Sequence, residues 1–326
     1  MKILVIFTGG TIGSSVKGDY ISKDNSTSCL LIEKYLESSG DTQTRFETKS
    51  PYYILSENLS EVHLNLLIDC VKQNLAVGYD GIIVCSGTDT LQYVASSLTF
   101  SFANAHIPIL LVSSNYPLKD RRSNGLENFT GAVEFIKQSI AKGVFASYKN
   151  IKDTAVKFHY GTKIIQFSEN SSNLFSLDDN FFAEYQDNFI LNKDFLYPPS
   201  ANGSHNIKYC ENPGILVIQS MPADSFCYYL DKVKAIILRP YHSGTINSCS
   251  KQLKKFCREA KNKNIPIFIV NAPSSISYDS TRVFSELGVE KLPDCTFSAV
   301  YMKCWAAISL GKEVKSFVMD DSFAPL

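Results

Sequence analysis

The sequence predicts an α/β protein: two α/β domains with mainly parallel sheets, the N-terminal one larger. Three observations carry that prediction. Continuous apolar runs of strand length alternate with stretches of helical periodicity, which is the pattern of βαβ units in a parallel sheet. Residues 186–212 mix Asp, Asn, Pro, Gly and Ser without sustained periodicity, and a second α/β pattern follows them. The 326 residues exceed what one ordinary core organises and suit two. The expected division is a domain over 1–185, a linker over 186–212 and a second domain over 213–326.

The first strand is Ile3-Leu4-Val5-Ile6-Phe7, and it ends in Thr8-Gly9-Gly10-Thr11-Ile12-Gly13. Residues 14–19 read as a loop. A second run, 81–85, ends in Ser86-Gly87-Thr88-Asp89-Thr90. Leu91, Val94, Ala95, Leu98 and Phe102 then follow helical spacing, with Asp89 where an N-cap belongs. Strand-like runs at 108–112 and 143–147 flank an amphipathic helix carrying Phe129, Ala132, Val133, Ile136 and Ile140. Val156 to Phe167, split by Tyr160-Gly161-Thr162, reads as a hairpin, and the centre of the linker is Tyr197 to Ser204. Beyond it, strands at 215–218, 235–238 and 265–270 alternate with helices near 223–231 and 248–262, so the smaller C-terminal domain is expected to be Rossmann-like.

With 44% hydrophobic residues the chain can fill both cores. Lys plus Arg equals Asp plus Glu, 32 each, so no global field draws nucleic acid or an anionic membrane, and a small-molecule ligand is expected. No stretch approaches a membrane span, and the N-terminal apolar run is shorter than a signal-peptide core. Nine cysteines, odd in number and without a C-x-x-C pair, argue against a disulfide framework or zinc site and for the cytosol. The five histidines share no metal-like spacing. No metal or nucleotide cofactor is expected.

Glycines beside a strand end can cradle phosphate. This chain has no G-x-x-x-x-G-K-[ST] and no G-x-G-x-x-G, and the segment after Gly13 does not open a helix. A tight turn explains Gly9 and Gly10 but not a threonine on each side. Open α/β sheets bind ligands at the carboxyl ends of their strands, where Thr11 and Thr88 both fall. A threonine hydroxyl attacks only when one group takes its proton and another stabilises the oxyanion. Thr88-Asp89 at a helix start offers outward-pointing amides and a carboxylate able to bind a cation. The pair therefore reads as a nucleophile and its activating partner.

These residues resemble the bacterial-type L-asparaginases and glutaminase-asparaginases. Thr8-Gly9-Gly10-Thr11-Ile12-Gly13 is similar to that family's T-G-G-T-I-A, and Ser86-Gly87-Thr88-Asp89-Thr90-Leu91 to its H-G-T-D-T-M. Weaker matches are Ser56-Glu57-Asn58, Ser123-Asn124-Gly125, Tyr241-His242-Ser243-Gly244-Thr245 and the Leu-Gly-Val turn at 287–289. The resemblance implies that Thr11 attacks the side-chain amide carbon of L-asparagine, giving an acyl-enzyme that water hydrolyses. It implies that Tyr20 closes over the substrate and assists Thr11, that Thr88 is the second catalytic threonine, and that Asp89 binds the substrate α-ammonium. Ser56 would hold the α-carboxylate, and the backbone carbonyl of Ser114 would meet the leaving amide. A homodimer or homotetramer is also implied.

Two departures bear on this. Gln166 falls where the family has a lysine that partners the second threonine, and a glutamine cannot exchange a proton as a lysine does. Lys163, three residues earlier, points to the other face by strand alternation. Glu57 adds a carboxylate near the α-ammonium, as in the Ser-Glu-Asn of the archaeal amidase subunit of a tRNA-dependent amidotransferase. The expectation is an asparaginase-like amidohydrolase. The alternatives are a catalytically weak or silent amino-acid-binding homologue, and such an amidase subunit.

Overall fold

Every residue from Ile3 to Phe7 is apolar because strand β1 (Lys2–Phe7) is covered on both faces. In the computed structural model the described residues are 1–10, 12, 14–17, 20–23, 27–166, 171–196, 206–272, 278–320 and 326, with the backbone alone described at 14–17, 20–23 and 27–29. Thr11, Gly13, Phe167 and the expected linker centre at 197–204 lie outside the described residues. The chain forms two units, Met1–Asn206 and Ile207–Leu326.

In the first unit β1 is followed by β2 (Ser14–Lys17) and β3 (Tyr20–Lys23), an antiparallel pair where a loop was expected. Then come α1 (Thr27–Ser39), β4 (Arg45–Lys49), α2 (Glu61–Asn74), β5 (Gly81–Cys85), α3 (Leu91–Phe102), β6 (Pro108–Val112), α4 (Gly125–Lys137) and β7 (Gly143–Tyr148). The remainder is β8 (Val156–Tyr160), β9 (Ile164–Gln166), β10 (Leu174–Ser176), β11 (Ala183–Tyr185) and β12 (Phe189–Leu191). Among the described residues eight strands make one sheet in the order β12-β11-β8-β7-β6-β5-β1-β4. Its half from β4 to β7 is parallel, and β8, β11 and β12 extend it antiparallel. The charged edge strand β4 is mostly exposed, which blunts pairing with another chain.

Strand alternation divides the core. Ile3, Val5, Phe7, Ile83, Leu110 and Val112 face α1 and α4, where Tyr35, Phe129 and Phe135 close the layer. Leu4, Ile6, Ile82 and Val84 point the opposite way and are equally buried. Three expectations need correction here. Val156–Phe167 is not a hairpin: β8 pairs with β7 and β11, while β9 pairs with β10. Turn residues locate strand ends, but the partner is chosen by packing. Phe189–Leu191, inside the expected linker, is a strand paired with β11. The residue at the N-cap of α3 is Thr90, not Asp89.

The second unit comprises β13 (Ile215–Gln219), β14 (Ala235–Arg239), α5 (Lys251–Asn262), β15 (Ile267–Val270), α6 (Val283–Leu287), β16 (Val289–Leu292), α7 (Phe297–Ser309) and α8 (Val314–Met319). Its described strands form a parallel sheet in sequential order, β13-β14-β15-β16. Leu253, Phe256 and Ala260 of α5 pack on Ile236, Leu238, Ile267 and Ile269. Ser250 caps α5 by accepting the Leu253 N–H at 3.2 Å. The helix expected near 223–231 is absent, because Ala223 and Phe226 adopt left-handed backbone angles that no α-helix contains.

Among the described residues no helix is long and apolar enough to cross a membrane.

Candidate active site

β1 and β5 are neighbours in register, Phe7 opposite Cys85, so the two motifs leave the sheet side by side. The Thr8 N–H and hydroxyl both donate to the Cys85 carbonyl at 3.0 Å, and the Thr8 side chain also shares a hydrogen bond with the Tyr52 hydroxyl. Burial pushes the Tyr52 phenol up, which keeps it neutral under that turn.

Both glycines of the first motif are required by space and by backbone. Gly9 has φ +102°, and a Cβ there would sit 2.1 Å from the Ile54 carbonyl oxygen. Gly10 has φ +77°, and a Cβ there would sit 2.2 Å from the Gly87 Cα. The backbone preceding residue 11 therefore touches the backbone preceding Thr88. Thr11 itself is outside the described residues, and Tyr20 is described only as a backbone position of β3 opposite Lys17.

A third segment, Ile54 to Asn58, closes on this junction. Gly9 bridges to Ile54, and Ser56–Asn58 forms a 3-10 turn. Ser56 is buried, 7% exposed, and its Oγ donates to Asp89 Oδ2 at 2.8 Å. The Thr90 hydroxyl donates to the Ser56 carbonyl at 3.1 Å. A Cβ on Gly87 would come within 2.5 Å of the Ser56 hydroxyl, so that glycine is what admits Ser56. Since Asp89 does not cap α3, its carboxylate accepts from Ser56 while remaining exposed. Glu57, the chain neighbour of Ser56, is exposed, and Thr88 is half-buried.

Gln166 arrives from β9. Its Nε2 donates to the Thr88 carbonyl at 2.7 Å, and its Oε1 accepts the Gln92 N–H at 3.3 Å. One neutral amide thus ties Thr88 to the first turn of α3. Behind Gln166, Leu174 of β10 is its register partner, and Asn150 holds both backbone groups of Leu174, donating at 3.0 Å and accepting at 2.7 Å. Asn150 was not picked out by sequence reasoning, because a single asparagine after a strand carries no pattern. Lys163 is half-buried in the turn before β9, its carbonyl accepting from the Leu177 N–H.

Ser114 lies just past β6, the strand beside β5, where the Ser86 N–H donates to the Val112 carbonyl. It is fully buried, and its hydroxyl is engaged by the Tyr116 carbonyl and the Ser123 hydroxyl. The Asn115 and Asn124 side chains accept each other's backbone N–H, which fixes this loop to the start of α4. Among the described residues no group of His, Cys, Asp or Glu is placed to hold a metal ion. Chemically, the junction offers the exposed carboxylates of Asp89 and of Glu57, the latter next to Ser56 in the chain, together with a set of hydroxyls and close-packed glycine backbone.

The family profile described as asparaginase, N-terminal, matches residues 2–190. This chain belongs to the asparaginase family. Its curated relatives include subunits of glutamyl-tRNA(Gln) amidotransferases and L-asparaginases. One such amidotransferase subunit, from Methanobrevibacter smithii, is 24% identical over 320 residues, which is 93% of this chain and 71% of the relative. Its counterpart from Pyrobaculum aerophilum is 27% identical over 186 residues, 56% of this chain but only 44% of the relative. An L-asparaginase of Dirofilaria immitis is 22% identical over 351 residues, 94% of this chain and 58% of the relative. The solved L-asparaginase I of Vibrio cholerae superposes with a TM-score of 0.80 at 21% identity, covering 98% of this chain and 97% of that one. The thermostable L-asparaginase of Thermococcus kodakarensis gives 0.78 at 21% identity, covering 99% and 98%. These structures share the asparaginase fold of two α/β domains.

Proposed function

We propose that this member of the asparaginase family is an amidohydrolase that converts L-asparagine to L-aspartate and ammonia. The observation that carries the reading is the Ser56 to Asp89 hydrogen bond at the Gly10–Gly87 contact. A zwitterionic amino acid needs an anion for its ammonium, donors for its carboxylate and an electrophile-facing nucleophile. In this reading Asp89 binds the ammonium, Ser56 meets the α-carboxylate and Glu57 adds negative charge beside them. The Thr11 hydroxyl attacks the side-chain amide carbon with assistance from Tyr20 and Thr88, and ammonia leaves near the Ser114 carbonyl. Water then hydrolyses the Thr11 ester and releases aspartate. No metal or nucleotide takes part. A cytoplasmic homodimer or homotetramer completes the proposal.

Ammonia release from L-asparagine, L-glutamine and D-asparagine, compared between the wild type and Thr11→Ala, tests it. Turnover of L-asparagine lost in the variant is expected, and equal background rates in both would overturn the enzyme reading.

Gln166 favours a second reading, a weak or silent amino-acid-binding protein. The side chain against Thr88 is an amide, which has no proton to exchange near neutral pH. Tight calorimetric binding of aspartate without turnover is its signature. The amidotransferase relatives support a third, an amidase subunit serving a transfer-RNA amidotransferase. That reading requires copurification with a second, different chain.

A further inference from the structure

α5 concentrates positive charge that the balanced composition of the whole chain conceals. Within 251–263 there are six cations and one acid, Glu259. Leu253, Phe256, Cys257 and Ala260 are buried, while Lys251, Lys254, Lys255, Arg258 and Lys261 are all exposed. At 100° per residue those five lie within an arc of about 120° opposite the buried ridge. Gln252 and Glu259 flank the stripe instead of interrupting it. No described carboxylate forms an ion pair with any of the five; the nearest such pair on this segment is Lys263 with Asp231, at 3.5 Å.

Helix stability does not account for this arrangement. Lys251 with Lys255 and Lys254 with Arg258 are like charges four residues apart, which repel. The first turn holds no acid, although the helix dipole favours acids there and disfavours lysines. Solubility would be served equally by interspersed signs. A row of cations every three or four residues, about 5 Å apart along the axis, has the form of a surface that meets a regularly charged polymer.

We propose that the outward face of α5 binds the phosphate backbone of a polynucleotide through Lys251, Lys254, Lys255, Arg258 and Lys261. Charge complementarity selects this occupant over two others. Protein interfaces are depleted in lysine and anchored by aromatic or aliphatic side chains, and the exposed face of α5 has none. A membrane-lying helix buries an apolar face in lipid, and the apolar face of α5 is committed to the core. Without exposed aromatics for base stacking, the contact reads phosphates and not sequence.

The test is fluorescence anisotropy of the full-length protein with labelled single-stranded RNA of about 20 nucleotides, longer than the helix face, titrated at stepped KCl. Saturable binding at low salt is expected, with a log–log salt slope of about 3.5, the value for five phosphates on a single strand. The variant K254E/R258E/K261E is expected to bind more than tenfold more weakly, and K254Q/R258Q/K261Q to weaken binding and flatten the slope. Because these side chains are exposed, both variants should retain the wild-type circular dichroism and thermal midpoint. Three results would each overturn the proposal: no anisotropy change at low salt, RNA affinity unchanged in a folded charge-reversal variant, or tighter binding to phosphatidylserine vesicles or polyglutamate than to RNA.

Discussion

Gln166 Nε2 donates a 2.7 Å hydrogen bond to the carbonyl oxygen of Thr88, and its Oε1 accepts from the Gln92 N–H. Gln166→Ala removes both, and a net loss of about 1–1.5 kcal/mol at Thr88 should lower kcat/KM for asparagine roughly tenfold. Gln166→Lys places a titratable amine beside the same threonine. Its kcat should rise and its pH profile should acquire an ionisation the wild type lacks. An unchanged rate and profile would mean that no base is missing at this position.

Ser56 and Asp89 should behave as one unit. Asp89→Asn removes the charge expected to meet the ammonium, and KM should rise about 10- to 100-fold, with kcat changing less. Ser56→Ala should have a smaller effect. The double variant should fall short of the sum by about 0.5–3 kcal/mol, because the two side chains share a 2.8 Å hydrogen bond. Steady-state kinetics on the four proteins gives the coupling, and strict additivity would show that the two side chains act on the substrate independently.

Gly10 and Gly40 separate space from backbone angle. Both have positive φ, but a Cβ at Gly40 meets nothing within 4 Å, while at Gly10 it meets Gly87 at 2.2 Å. Gly40→Ala should cost about 1 kcal/mol in urea unfolding. Gly10→Ala must push the two strand ends apart, so it should cost about 3 kcal/mol or more and abolish turnover.

His159 should make stability fall with acid. It is fully buried, its Nδ1 pairs with the Ser176 hydroxyl at 2.8 Å, and its Nε2 has no hydrogen-bond partner among the described residues. Burial, with a smaller contribution from Lys157, lowers its pKa from 6.5 to about 3. Between those values the unfolded chain binds a proton that the folded chain refuses. Its contribution is therefore intact above pH 6.5 and declines as pH falls towards 3, with a slope of at most about 1.4 kcal/mol per pH unit. Urea unfolding at pH 7, 5.5 and 4.5 should show a shallower decline in His159→Gln than in the wild type. Parallel declines would remove His159 as the source.

The parallel strands were legible because burial on both faces leaves no room for polar residues, so 3–7, 81–85 and 108–112 announce themselves. The helix now seen at 125–137 was legible from its apolar spacing. Short, half-buried segments were not. β9 has three residues, and nothing local indicates that Gln166 pairs across from Leu174 instead of folding back on β8. The 223–231 segment has helical spacing, yet Ala223 and Phe226 sit at positive φ, a choice imposed by surroundings and not by those residue types. Asp89 has the chemistry of an N-cap, but its carboxylate turned to Ser56, a partner 33 positions away in the chain.

By itself, the sequence determined the alternation of strands and helices, the glycines at the two strand ends and the residue types available there, since these follow from local sterics and hydrophobic period. Tertiary structure alone decided that Gly10 abuts Gly87, that Ser56 faces Asp89 and that Gln166 reaches Thr88. Each of these is a contact between segments distant in sequence, and its geometry is set by how the sheet and its covering helices pack, information that no short window of residues contains.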